Sequence, residues 1–319
     1  MPMKKRLWLV CLCVCLLIAC LGCGPKKPGT DTAGSGGPAF AVLQDDLGRT
    51  VTLAAKPQRI VVLSASFLEP LHEVGGDVVG RPDSRTFMPD YAKDKPSVGK
   101  VYNIDLEKVL ACAPDLVIIN KGMNEKLLQS LETNKIPAVV VDMKSYEDVK
   151  REVHLFAQIT GEKEKGDALV KRMEDRIQAV RDKLPKQQRR VAILHSTAQG
   201  LSVQLDGSIA GSVAKMLGFT NVAAGMTALE NNPDAAPYSI ETLVEQDPEI
   251  LFITSMGKME DIKKSMQETI NSNPAWKTIP AIRNQQMFYL SQDLFLLSPG
   301  IHYPEAVEEM AKLIYPEAF

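Results

Sequence analysis

The chain has 319 residues, 24% of them charged, and a formal net charge of −2. That length exceeds what one compact core usually supports and predicts two domains. The near-balanced charge gives no basic surface of the kind that nucleic acid or an anionic membrane face demands.

Lys4, Lys5 and Arg6 precede an apolar run from Leu7 to Ala19, the charged-then-apolar build of a secretion signal, and one too short to span a membrane comfortably. Five of the six cysteines, Cys11, Cys13, Cys15, Cys20 and Cys23, fall in or just after this run, so only Cys112 is left for the folded body and an internal disulfide is excluded. Leu17-Ile18-Ala19-Cys20 resembles a bacterial lipobox, in which a small residue precedes a cysteine that becomes a thioether to diacylglycerol; Cys23 is the alternative acceptor. More than one acyl chain gives stable anchoring. From Gly24 to Ala39 almost no large apolar side chain occurs, which reads as a flexible tether.

The body reads as alternating strands and helices. Apolar runs at 59–63, 78–80, 116–119 and 138–141, separated by short helical patterns at 69–74 and 106–111, predict a parallel sheet covered on both faces. Ser145 and Asp148 form a capping-box signature, with Val149, Val153 and Ala157 as an apolar stripe. Beyond Gly161, Leu169, Met173, Ile177 and Val180 continue at helical spacing to Pro185, a stretch on the order of 34 Å if helical throughout. Further strands at 191–194, 250–253 and 287–290, a helix at 208–217 and a closing helix at 304–314 complete a second lobe. The expected organisation is a signal at 1–19, a lipidated tether at 20–39, an α/β lobe at 40–142, a linker helix region at 143–185 and a second α/β lobe at 186–319. The fold class is α/β: two Rossmann-like lobes joined by one long helix, with a ligand cleft between them.

Two segments echo each other. Asp105-Leu106-Glu107 precedes Pro114-Asp115-Leu116-Val117-Ile118, and Ser239-Ile240-Glu241 precedes Pro248-Glu249-Ile250-Leu251-Phe252-Ile253, with the same glutamate-to-proline separation. Each begins with a capping residue and puts a glutamate in the first turn, where the helix dipole favours a carboxylate. Stabilising a helix start is one sufficient reason for both glutamates.

From about Phe40 to Pro316 the chain resembles the class III substrate-binding proteins of ABC importers, which take up iron-siderophores, haem and cobalamin. The resemblance rests on Lys56-Pro57-Gln58-Arg59-Ile60-Val61, Val98-Gly99, the Pro114 to Ile118 strand, the long helix, and Ser298-Pro299-Gly300 before the last helix. It implies that Glu107 and Glu241 stand on the tops of the two lobes and meet arginines of an ABC permease, which works with its ATPase. It also implies a monomer without intrinsic cofactor, a cargo held between the lobes and only modest lobe movement. The implied cargo is haem or a ferric siderophore, with cobalamin as the alternative. Haem receptors of the family carry iron-ligating methionine and histidine where this chain has Tyr102 and Met256.

Loops following strand ends supply the ligand candidates: Ser66, Phe67, Phe87, Tyr91, Lys100, Tyr102, Lys121, His195, Met256 and Phe295. Tyr102, Met256 or His195 could reach haem iron, since phenolate, thioether and imidazole all ligate it; each also reads as an ordinary rim, loop or half-buried side chain. His72, His154 and His302 lie on or beside helices and read as structural, and four scattered histidines do not make a bare-metal site. An enzyme on a similar frame is the rival class, but the chain contains no G-x-x-x-x-G-K-[ST], no G-x-G-x-x-G after a strand and no H-E-x-x-H. A surface lipoprotein that carries no solute is a further rival.

Overall fold

The computed structural model describes residues 38–84, 88–197, 200–296 and 299–319. The expected signal, Cys20, Cys23 and nearly all of the tether lie outside the described residues, as does Phe87.

The first element is a hairpin of β1 (Ala41–Gln44) and β2 (Thr50–Leu53). The N-terminal sheet contains β3 (Ile60–Val62), β4 (Val78–Asp83), β5 (Ser97–Lys100), β6 (Asn103–Ile104), β7 (Leu116–Asn120) and β8 (Ala138–Val141), in the order β6-β5-β4-β3-β7-β8. All pairings are parallel except the β5–β6 hairpin. Alternate residues of the apolar strands enter different cores. Val61, Val117, Ile119 and Val140 face one side, while Ile60, Val62, Ile118 and Val141 face the core shared with the linker. Both faces are covered, which is why these strands read as unbroken apolar runs. Gly80 in β4 is required by close approach, since a Cβ there would stand 2.8 Å from Cys112 Sγ and 3.1 Å from Val61 Cγ2.

Short helices α1 (Leu68–Glu73), α2 (Leu106–Ala111) and α3 (Leu128–Thr133) connect the strands. The linker region holds two helices, α4 (Tyr146–Thr160) and α5 (Lys163–Arg181). The capping box at Ser145 forms as expected: its Oγ accepts from Asp148 N at 3.2 Å, and Asp148 Oδ2 accepts from Ser145 N at 2.9 Å. Gly161, with φ +72°, ends α4 in the left-handed conformation that a helix C-terminus favours. The long helix is therefore α5, 19 residues and about 28 Å. Its buried stripe is the one read from the sequence, Leu169, Met173, Ile177 and Val180. Arg151 on α4 fastens the first hairpin to the linker, reaching Asp46 at 2.9 Å, Asp148 at 2.7 Å and the buried Glu152 at 3.0 Å.

The second sheet is mixed. It comprises β9 (Arg190–Thr197), β10 (Gly200–Gln204), β11 (Thr220–Asn221), β12 (Ala235–Pro237), β13 (Ile250–Ser255) and β14 (Met287–Tyr289), in the order β12-β10-β9-β13-β14 with β11 also beside β9. β9, β11, β13 and β14 pair in parallel; β10 returns antiparallel along β9, and β12 pairs antiparallel with β10. Its helices are α6 (Ile209–Met216), α7 (Ile240–Gln246), α8 (Met259–Ser272), α9 (Pro280–Arg283), α10 (Gln292–Phe295) and the closing α11 (Tyr303–Ile314). Helix α11 packs on α5 and α6. One core runs through both lobes, joining Val62 and Ile118 to Phe156 and Met173 of the linker and on to Ile193, Phe252 and Val307.

The sequence echo is a structural one. Helix α2 feeds β7, which pairs in parallel with β3, and α7 feeds β13, which pairs in parallel with β9. Ala113 and Asp247, each just before the proline, both turn with positive φ, +45° and +48°. Arg59 donates to the carbonyls of Cys112 and Ala113, and Arg190 donates to that of Asp247. Asp115 then accepts from the backbone of Gln58 and Arg59, as Glu249 does from Arg190. Each lobe thus locks its helix-to-strand turn with an arginine and a carboxylate.

Candidate functional site between the lobes

Loops at strand ends converge on a cavity of about 470 Å³, within the range of small-molecule sites. From the first lobe, Ser64, Ala65 and Ser66 follow β3, Asp83 ends β4 and Ser84 follows it, Val101 sits in the β5–β6 turn, and Asn120 ends β7 with Met123 just after it. Helix α1 adds Glu69 and Pro70. The second lobe closes the cavity with Asp293, Leu294 and Leu296, and with the segment from Pro299 to His302. Most of these side chains are apolar or small. Gly99, φ +106°, makes the tight β5–β6 turn: a Cβ there would stand 2.7 Å from Asn103 O.

A charged strap crosses the floor. His302 Nε2 lies 2.6 Å from Glu69 Oε2 and its Nδ1 3.6 Å from Glu305 Oε1, while Arg176 on α5 meets the same Glu305 oxygen at 2.7 Å. Hydrogen bonds to Glu305 and Glu69 raise the His302 pKa to about 10, so the ring is a cation at neutral pH. Burial opposes ionisation of Glu305, but the bonds from His302 and Arg176 outweigh it and hold that carboxyl at about 2. One turn along α1, Glu73 pairs with Arg172 at 2.7 Å, tying the same helix to α5 a second time.

Of the candidates read from the sequence, Ser66 lines the cavity. Phe67 and Phe295, neighbours of lining residues, point into the hydrophobic core. Tyr91 stacks on His72 with ring centroids 4.0 Å apart, and its hydroxyl donates to Leu68 O at 2.7 Å. Burial raises its pKa well above the usual phenol range. Lys121 donates to Asp46 O at 3.1 Å. Lys100 and Tyr102 sit at the β5–β6 turn, the ammonium 5.8 Å from the ring centroid, and Tyr102 is 64% exposed. Met256 is 65% exposed, beyond the end of β13. His195 lies within the sheet, opposite Ser202 of β10 and Thr254 of β13, with Nδ1 3.1 Å from Thr254 Oγ1; burial lowers its pKa. Apart from Ser66, none of these residues is among the lining residues.

Glu69, Met123 and His302 line the cavity without having been candidates. Met123 follows a strand end and could have been found by the rule that gave Ser66. His302 is bound in ion pairs, as its structural reading expects, and also faces the site. Glu107 and Glu241 are exposed at matching positions one residue into α2 and α7. Asp105 caps the first helix, accepting from Glu107 N at 3.0 Å, and Ser239 caps the second, accepting from Thr242 N at 3.2 Å. Bonds from its own backbone and from Ser239 lower the Glu241 pKa, so that carboxylate stays ionised.

Residues 60–294 match the family described as Periplasmic binding protein. The chain belongs to that family. It is 28% identical to the Fe(3+)-citrate-binding protein YfmC of Bacillus subtilis (strain 168), over 96% of this chain and 97% of the relative. It is 26% identical to the uncharacterized ABC transporter substrate-binding lipoprotein YvrC of the same organism, over 99% of each chain. Among solved structures, that of Staphylococcus aureus IsdE complexed with heme shares the fold, with a TM-score of 0.67 and 21% identity over 81% of this chain and 98% of that one. The periplasmic binding protein family accounts for the two lobes and the cavity between them.

Proposed function

We propose that the protein is a lipid-anchored receptor that captures an iron complex between its lobes and delivers it to an ABC permease. The observation that carries this reading is the mostly apolar interlobe cavity built from strand-end loops of one lobe and the segment before the closing helix of the other. Walls that are apolar over most of their area, above a charged floor at Glu69 and His302, suit a bulky complex with hydrophobic faces and a few charged groups, so haem stands ahead of a ferric siderophore. Ferric citrate is the second reading, favoured by the similarity to YfmC along nearly the whole chain. The anchor rests on the Leu17 to Cys20 lipobox and on the similarity to a lipoprotein. Docking through Glu107 and Glu241 is supported by their exposure and their equivalent places in the repeated unit. Two exposed carboxylates contribute little affinity but set an axis and an encounter rate.

The test is to titrate purified protein separately with haem, ferric siderophores, ferric citrate and cobalamin, following absorbance and thermal unfolding. An iron complex that raises the melting temperature in a saturable way is the expected result. Stabilisation by cobalamin alone, or by none of the four, would count against the reading.

A further inference from the structure

We propose that Met123 is the side chain through which the first lobe grips the apolar face of the cargo, and that Asn124 is its positioning residue. This rests on the reading of the cavity as the cargo site. Met123 lines the cavity and is 51% exposed, a large apolar side chain left to solvent just after β7, a strand whose apolar residues are all buried. Covering it is what a hydrophobic ligand would do, and an unbranched thioether adapts its shape to the surface that covers it. Across the cavity stand Leu294 and Ile301, so the ligand would be held between apolar groups from both ends of the chain.

The next residue explains why Met123 points where it does. Asn124 is 2% exposed, although its neighbours Met123 and Gly122 are on the surface. Its Nδ2 donates to Val101 O, at the tip of the β5–β6 turn, and its backbone N–H donates to Asn120 O at 3.1 Å. Val101 and Asn120 both line the cavity, so this one residue joins two walls of the site, by its side chain and by its backbone. Its Oδ1 is buried and has no partner among the described residues. What the amide provides is the bond to Val101, which fixes the loop that carries Met123 against the turn that carries Tyr102.

The experiment uses the full-length protein, with haem and a ferric hydroxamate siderophore as probes, and the variants Met123→Ala, Met123→Leu, Asn124→Ala and Met123→Ala/Asn124→Ala. Met123→Ala should weaken binding of the better probe about tenfold, while Met123→Leu, which keeps volume and apolarity, stays within a few-fold of wild type. Asn124→Ala should weaken it comparably, and the double variant should be no weaker than Met123→Ala, because the amide acts through the thioether. Melting without ligand is measured alongside, and a melting shift in Asn124→Ala with unchanged affinity would reduce that residue to a purely structural role. Wild-type affinity in Met123→Ala would overturn the inference, and so would a loss in Met123→Leu equal to that in Met123→Ala, which would make the sulfur itself the contact. Additive losses in the double variant would overturn the positioning role. If wild type binds neither probe, the cargo reading falls together with this inference, whereas binding that is indifferent to Met123 removes the inference alone.

Discussion

The two lobes use the same helix-to-strand unit but open to the cavity differently. In the first lobe, parallel strands β3, β4 and β7 end at the cleft, and the loop after each contributes lining residues. In the second, β9 does not stop where its apolar run stops; it continues to Thr197 and is followed by β10 antiparallel along its end. That return strand takes up the edge and the end of β9, so His195 is held in the sheet and the cavity wall comes from Asp293, Leu294, Leu296 and the residues from Pro299 to His302 instead. Crevices at the carboxyl ends of strands are thus a property of strands that end freely. An antiparallel return removes one.

The largest effect should come from the feature that the lobes share. Replacing both Glu107 and Glu241 with alanine should abolish uptake by cells while leaving cargo affinity unchanged, because both carboxylates stand on the surface away from the cavity. Each single variant should retain part of the uptake, since one charge still orients the encounter. Normal uptake by cells carrying the double variant would show that the repeated glutamates only stabilise helix starts.

The difference between the lobes can be tested next. Leu294→Trp places a larger side chain in the cavity and should cost at least about tenfold in affinity, or roughly 1.4 kcal/mol. His195→Ala should leave affinity unchanged and cost about 1 kcal/mol of stability through the lost contact with Thr254. Equal losses of affinity from both substitutions, measured by calorimetry, would return the end of β9 to the site.

The frame of the molecule was legible because it depends on patterns that local chemistry enforces. The apolar runs at 116–119 and 138–141, the capping box at Ser145 and the paired units around Glu107 and Glu241 all read directly onto elements. Side-chain direction at the cleft was not legible. Ser66 and Phe67 are adjacent, as are Leu294 and Phe295, yet in each pair one lines the cavity and the aromatic one enters the core. Each pair lies in a single short helical turn, too short to show a period from which to tell the two apart. His195 was misplaced for a different reason: β10 is a short, half-exposed strand, Gly200–Gln204, whose composition carries little strand signal. The pairing of His302 with Glu69 spans 233 positions and leaves no local trace at all.

A pH-dependent contrast separates the linker side from the cleft side. Burial and the neighbouring Asp46 raise Glu152 from 4.5 to about 9. The folded state therefore holds that proton more tightly than the unfolded chain, and stability should fall as pH rises between about 4.5 and 9. Glu152→Gln, which keeps the shape without the charge, should remove about 1 kcal/mol per pH unit of that slope between pH 6 and 8. Urea melts of the two proteins at pH 6 and pH 8 would show parallel shifts if the carboxyl were ionised in both states.

The smallest effect expected is at the floor of the cleft. His302 is raised from 6.5 to about 10, so its contribution is complete below pH 6.5 and is lost as pH rises through 10. Its partner Glu305 is lowered from 4.5 to about 2, so the same contact is complete above pH 4.5 and is lost as pH falls through 2. The two shifts describe one interaction and are counted once. The stability difference between wild type and His302→Gln should thus be widest between about pH 4.5 and 6.5 and should narrow on either side. The His302 side chain is 37% exposed, so solvent screening limits the difference to about 1 kcal/mol. Since Glu69 belongs to the first lobe and His302 to the segment that closes the second, the bond of His302 to Glu69, unlike the contacts of Glu152, holds the lobes to each other at the floor of the cavity. The same substitution should therefore lower the stabilisation that cargo confers, whereas Glu152→Gln should leave it unchanged. A stability difference independent of pH, with cargo stabilisation unaltered, would show that His302 contributes packing alone.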